Sequence, residues 1–229
     1  MSTLYVVSTP IGNLEDITLR AIRTLKEVDL VLAEDTRVAK RLLQHHGIEK
    51  DVVRYDEHKH KVMEDMVLEA LREGTNIALI SDAGTPTISD PGYRLIARIL
   101  EIKREIPEIN IKSIPGPSSL TSALSLSGIS ADHFVFYGFL PTKKGKETII
   151  KDISEAKRTS VFFESPNRIM KTLEMMKKFI DWERKISVVR EISKIHEDVV
   201  TGSIREVIDY FEKHPDQIRG EMVVVVESL

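Results

Sequence analysis

Short runs of β-branched and aliphatic residues alternate along the chain with stretches in which apolar positions recur every three or four residues. The first period suits a strand buried on both faces, the second an amphipathic helix. Leu4-Tyr5-Val6-Val7-Ser8 predicts a strand, and residues 16–27 then bring Ile17, Ala21, Ile22, Leu25 and Val28 onto one helical face. Residues 29–33 predict a second strand, 37–45 a helix, and Val52-Val53 the start of a third strand. A helix near 58–73 stops at Gly74, a residue suited to the left-handed turn after a helix. Residues 77–80 make a fourth strand, Asp90 and Pro91 read as the cap and first turn of the next helix, and 109–113 make a fifth strand.

Ile114-Pro115-Gly116-Pro117-Ser118 interrupts this rhythm, because two prolines around a glycine fit neither a central strand nor a helix interior. The expected division is therefore 1–114 and 115–229. Beyond it come a helix at 118–127, a strand at 134–137, a loop at 141–145, a helix at 146–156 and a strand at 160–163. Ser165 and Pro166 open a further helix, strands follow near 185–190 and 197–201, Ser203 and Glu206 have capping-box spacing, and Met222-Val223-Val224-Val225-Val226 closes the pattern. Two α/β domains are predicted. The first has a mostly parallel sheet with helices on both faces, and the second a mixed sheet, since its strands lie closer together in sequence.

Composition narrows the possibilities. With 41% hydrophobic and 30% charged residues in 229, the chain has enough apolar surface to fold, and no apolar run approaches the length of a membrane span. Cysteine is absent, which excludes disulfides and thiolate metal sites. The start, Met1-Ser2-Thr3-Leu4-Tyr5, has no basic segment followed by an apolar stretch, so no signal peptide is expected. A net charge of −3 argues against holding nucleic acid by bulk charge.

In open α/β sheets ligands bind beyond the carboxyl ends of strands. Small, polar and proline residues gather there, in Ser8-Thr9-Pro10-Ile11-Gly12-Asn13, Glu34-Asp35-Thr36-Arg37, Ser81-Asp82-Ala83-Gly84-Thr85-Pro86, Pro115-Gly116-Pro117-Ser118-Ser119, Glu164-Ser165-Pro166-Asn167-Arg168 and Arg190-Glu191-Ile192-Ser193-Lys194. Neither a dinucleotide fingerprint, a P-loop nor a nucleophile elbow is present. His58-Lys59-His60 lacks further ligands and reads as a solvated face, so no metal is expected. Each string alone also has a structural explanation, such as an ordinary turn before a helix for residues 82–86.

Taken together and in order, these strings resemble the ribosomal RNA small subunit methyltransferase I group of the tetrapyrrole (corrin/porphyrin) methylase superfamily, as do Asp90-Pro91-Gly92-Tyr93, Tyr137-Gly138-Phe139-Leu140-Pro141 and Gly220-Glu221-Met222-Val223. The resemblance implies the class III methyltransferase fold, with S-adenosylmethionine (SAM) in a cleft between two domains. It implies 2′-O-methylation of a cytidine ribose in the decoding region of 16S rRNA, within the small ribosomal subunit, by a cytoplasmic homodimer. It carries cofactor contacts over to Ile11, Ser81, Asp82, Ala83, Gly84, Thr85, Ser118, Ser119, Glu164 and Ile192, many of them through the main chain. Two departures stand out. Asn167 occupies a position where the family usually has His, and the chain lacks the basic C-terminal extension of some members.

A ribose hydroxyl is a weak acid, so its methylation needs a base or a cation that stabilises the forming alkoxide. Glu34, Asp35, Glu191 and Lys194 are the candidate catalytic residues, with Lys194–Glu191 and Asp35–Arg37 as possible pairs. Arg37, Arg168, Lys143 and Lys144 are candidate substrate contacts, and Lys146 belongs to the same loop region. Phe134, Phe136, Phe162 and Phe163 lie on strands and are expected to pack in the core. Two rivals remain: a methylase of a small molecule such as a tetrapyrrole, and a non-catalytic RNA-binding or assembly protein.

Overall fold

A computed structural model describes residues 1–55 and 60–229. His58 and Lys59, and with them the expected start of the third helix, lie outside the described residues. The chain forms two compact units, Met1–Ser118 and Ser119–Leu229.

In the first unit, strands β1 (Ser2–Val7), β2 (Leu30–Ala33), β3 (Asp51–Arg54), β4 (Ile77–Ile80) and β5 (Ile109–Ile114) form one sheet in the order β3-β2-β4-β1-β5. Every neighbouring pair is parallel. Alternation along each strand sends side chains to opposite faces, and each face has its own apolar cluster. Val31, Ala78 and Ile80 meet Leu25 of α1 (Leu19–Glu27) and Leu42 of α2 (Thr36–His45). Leu32, Ile77 and Leu79 meet Leu68 of α3 (His60–Arg72) and Leu95 of α4 (Tyr93–Ile102). This is the parallel, doubly covered sheet that the hydrophobic pattern predicts.

One helix start differs from expectation. Helix α4 begins at Tyr93 with Gly92 as its N-cap, not at Asp90-Pro91. The preceding turn holds Thr87 and Ser89 at positive φ, 74° and 60°, so Asp90 stays in the loop.

The second unit contains α5 (Ser119–Leu126), β6 (Phe134–Phe139), α6 (Lys146–Glu155), β7 (Thr159–Glu164), α7 (Pro166–Met176), β8 (Lys185–Arg190), β9 (Asp198–Ser203), α8 (Ile204–Lys213) and β10 (Met222–Val226). The sheet order is β6-β7-β10-β8-β9, with β6–β7 parallel and the other pairs antiparallel. The α6 crossover permits the parallel pair, whereas the short turn between β8 and β9 can only return antiparallel. Phe162, Val188 and Val224 build the core with Ile150, Leu173 and Phe211. The capping box at α8 forms as its spacing predicts: the Ser203 hydroxyl accepts from the Glu206 amide, and the Glu206 carboxylate accepts from the Ser203 amide.

Among the described residues, no helix is long and apolar enough to cross a membrane. No cluster of three or more His, Asp or Glu residues among them is arranged to hold a metal ion.

Candidate functional site

Parallel strands deliver their carboxyl ends to one edge of the first sheet, and the loops there are knitted together by polar contacts. Thr9 and Gly84 form an isolated antiparallel bridge, with amide-to-carbonyl distances of 2.8 and 3.1 Å. The Thr9 hydroxyl donates to the Ser81 carbonyl at 3.1 Å, and the Ser81 hydroxyl to the Gly84 carbonyl at 3.0 Å. Thr85 lies 3.0 Å from the Ser8 hydroxyl and donates to the Pro117 carbonyl at 3.2 Å. The loops after β1, β4 and β5 thus form one framework. Ile11 and Ser81 are buried in it, while Asp82 and Ala83 face solvent.

The loop after β2 joins through Asp82, whose carboxylate accepts from the Asp35 amide at 3.0 Å. Asp35 caps α2 by accepting from the Arg37 amide at 2.8 Å, and it pairs with the Arg37 guanidinium at 2.6 Å. The Arg37 hydrogen bonds hold the Asp35 carboxyl well below the usual carboxylate range. A carboxylate so lowered stays ionised near neutral pH and is a weaker base than an ordinary one. Asp90, absent from the expected set, behaves in the opposite way. Burial first, then the charges of Glu34 and Asp82, push its carboxyl up to about 6, against the opposing effect of a Ser81 hydrogen bond. Burial and the charges of Glu34 and Asp82 disfavour the charge on Asp90, so a cation beside it would be favoured.

In the second unit, the turn after β8 gathers Glu191, Ile192 and Lys194. Glu191 and Ser193 have positive φ, 52° and 66°, conformations that non-glycine residues adopt at a cost and that recur at functional sites. The Lys194 ammonium donates to Glu191 at 2.8 Å and to Glu221 at 3.2 Å. Burial would lower the Lys194 value, but the hydrogen bonds and charges of Glu191 and Glu221 more than offset it and raise it. Glu191 is correspondingly lowered: burial pushes it up, and the Lys194 bond and charge overcome that. Lys194 is therefore a firmly held cation. Gly220 leaves room for this arrangement, since a Cβ there would fall 1.9 Å from the Glu191 carboxylate.

Glu164 lies at the end of β7 with a fully buried carboxylate. It accepts from Lys146 at 3.0 Å, Thr172 at 2.6 Å, the Ser165 amide at 2.9 Å and the Arg168 guanidinium at 3.1 Å. Those partners engage both oxygens, so any ligand contact from Glu164 falls to its main chain. Arg168 also donates to the Leu140 carbonyl at 2.5 Å and the Pro141 carbonyl at 3.2 Å. Lys146, grouped by the sequence with Lys143 and Lys144, is instead buried. Its ion pair spans 18 residues of sequence, and no local signal could reveal it. Lys143 and Lys144 are exposed.

The profile of the tetrapyrrole (corrin/porphyrin) methylases matches residues 3–208. The chain is 44% identical over 228 residues to ribosomal RNA small subunit methyltransferase I of Thermotoga maritima, an alignment covering 100% of this chain and 99% of that protein. It is 43% identical over 226 residues to the Haemophilus influenzae protein of the same name, covering 98% of this chain and 78% of the other. Among solved structures, the methyltransferase CobJ superposes with a TM-score of 0.69 at 17% identity, over 99% of this chain and 93% of that one. Uroporphyrin-III-C-methyltransferase from Thermus thermophilus gives 0.65 at 18% identity, over 98% and 94%. At those identities the two structures speak to the fold alone.

Proposed function

This chain belongs to the tetrapyrrole (corrin/porphyrin) methylase family, and from that premise we propose that it methylates ribosomal RNA. The full-length identity to ribosomal RNA small subunit methyltransferase I carries this proposal. In its finer form, the methyl donor is SAM and the acceptor is the ribose 2′-hydroxyl of a cytidine in the decoding region of 16S rRNA. A cytoplasmic homodimer acting on the small ribosomal subunit belongs to the same proposal.

SAM, when bound, supplies an electrophilic methyl group on a cationic sulfur. The acidic edge of the first unit suits such a molecule, because burial and the charges of Glu34 and Asp82 push the Asp90 carboxyl up, and a cation beside it would relieve that cost. Ile11, Ser81, Ala83, Gly84, Thr85, Ser118, Ser119 and Ile192 complete the proposed cofactor contacts, with Glu164 contributing main-chain groups. Arg37, Lys143 and Lys144 are the proposed RNA contacts, while Arg168 acts through the loop that it holds.

The acceptor hydroxyl must lie about 3–3.5 Å from the methyl carbon and shed its proton as the new bond forms. Lys194, held charged by Glu191 and Glu221, is suited to stabilise the forming alkoxide electrostatically. Glu191 fixes the ammonium, and Asp35 keeps Arg37 in place.

Label transfer from methyl-tritiated SAM tests the proposal, with assembled small subunits, naked 16S rRNA and porphyrinogens offered in parallel. Incorporation into ribosomal RNA is expected. Label in the porphyrinogen alone would reject the proposal, and label in none would make the protein non-catalytic. In the same assay, Lys194→Ala is expected to lower kcat by about a hundredfold while SAM binding persists; unchanged kcat would remove Lys194 from the mechanism.

A further inference from the structure

Strand β6 lies at the edge of the second sheet, and its pairing with β7 is interrupted. Phe136 pairs with Val161 and Phe139 with Phe163, so Tyr137 and Gly138 together stand opposite Phe162 alone. Such a bulge shifts the side-chain alternation by one residue, and positive φ at its glycine is a common way to build it. Gly138 has φ +63°. Without the bulge, Phe139 would share the core-facing side with Tyr137, which packs against the apolar cluster and donates to Asp152 of α6 at 2.7 Å. With it, Phe139 joins Phe136 and Phe163 on the opposite face. The Phe163 ring lies edge-on between the two others, 4.9 Å from Phe136 and 5.2 Å from Phe139. Phe139 is the outermost ring and is 60% exposed, and Phe134 on the same strand, expected in the core, is exposed as well.

The segment that follows is held at both ends. Arg168 binds the carbonyls of Leu140 and Pro141, and buried Lys146 reaches Glu164 and Thr172. Arg168 and Lys146 share the same Glu164 carboxylate. Between these anchors lie exposed Lys143 and Lys144. An outward aromatic face and two cations are thus presented by one clamped stretch. Water is a poor neighbour for an exposed ring, and cations beside it suit an anionic partner that also has flat apolar surfaces.

We infer that residues 139–144 form a grip for unpaired RNA, with a base stacked on Phe139 and phosphates on Lys143 and Lys144. This inference rests on ribosomal RNA being the substrate and names a residue that recognises it. Stacking on an aromatic ring tolerates any base, so the grip orients the strand and adds affinity without selecting a sequence.

Binding of a fluorescein-labelled single-stranded RNA from the decoding region tests the grip, alongside label transfer to small subunits. Phe139→Ala is expected to weaken binding by roughly 5- to 160-fold. Phe139→Trp is expected to restore it, while Phe139→Leu, apolar but without a π face, is not. The dependence of log affinity on log salt should be unchanged in Phe139→Ala and shallower by about 1.4 in the Lys143→Ala/Lys144→Ala double variant. Undiminished binding by Phe139→Ala, or rescue by leucine, would overturn the inference. So would a lower sedimenting mass for Phe139→Ala, which would assign the ring to contact with a second copy of the chain. If the unaltered protein labels RNA and Phe139→Ala binds equally well, the grip fails and the activity stands. If the ring governs binding but no RNA is labelled, the activity fails and the grip stands.

Discussion

Asp90 shows how a single carboxyl can register its surroundings. Its value of about 6 in the folded protein compares with an ordinary 3.8. Between those values the folded state holds the proton more tightly than the unfolded one, so stability declines as pH rises through that window. Above about 6 the full cost of the charged carboxylate is present, and below 3.8 the group is protonated in both states. Asp90→Asn removes the charge and keeps an amide able to hydrogen-bond. It is expected to melt at a higher temperature than the parent protein at neutral pH, with the difference closing as pH falls to about 3.8. Equal melting temperatures across the series would show that neither burial nor the charges of Glu34 and Asp82 raise this carboxyl in the folded protein.

Three elements meet at Glu164: β7 carries it, α6 supplies Lys146, and α7 supplies Thr172 and Arg168. A buried lysine is tolerable only beside such an acceptor, because removing one partner strands the other's charge away from water. Glu164→Gln is expected to destabilise the protein by about 3–5 kcal/mol in urea unfolding, as loss of one member of a buried ion pair generally does. Lys151→Ala offers the contrast, since its pair with Glu147 is exposed on both sides and lies within one helix. Its cost should be much smaller, because an ion pair exposed on both sides gains little over water. Equal effects of the two substitutions would mean that the Glu164 network is not a structural node.

At the scale of the whole molecule, a net charge of −3 gives no general attraction to RNA, so the proposed grip must come from local cations such as Lys143 and Lys144. Ligand linkage offers a global check on the proposed donor. A compound that binds only the folded state stabilises it by about 2.7 kcal/mol at a hundredfold excess over its dissociation constant. SAM at such an excess is expected to move the urea midpoint upward accordingly, and inorganic sulfate at the same concentration much less. No shift with SAM, together with no binding heat, would sink the proposed donor.

Determined by the sequence alone were the features that depend on near neighbours. Alternating apolar positions in β2 and β4 assign each side chain to one face of the sheet, and the serine and glutamate that cap α8 lie three residues apart. The strings at the strand ends likewise pointed to the family, because they occur together and in order along the chain. Tertiary structure decided the rest. Lys146 is buried because Thr172 and Glu164, 26 and 18 residues away, are folded against it. Asp90 is perturbed by its burial and by acids on other loops, and Phe139 faces outward because β7 fixes the register of its bulged neighbour. Periodicity and capping are local properties of a chain, whereas the burial of a charge or the direction of a ring depends on which distant segments the fold brings beside it.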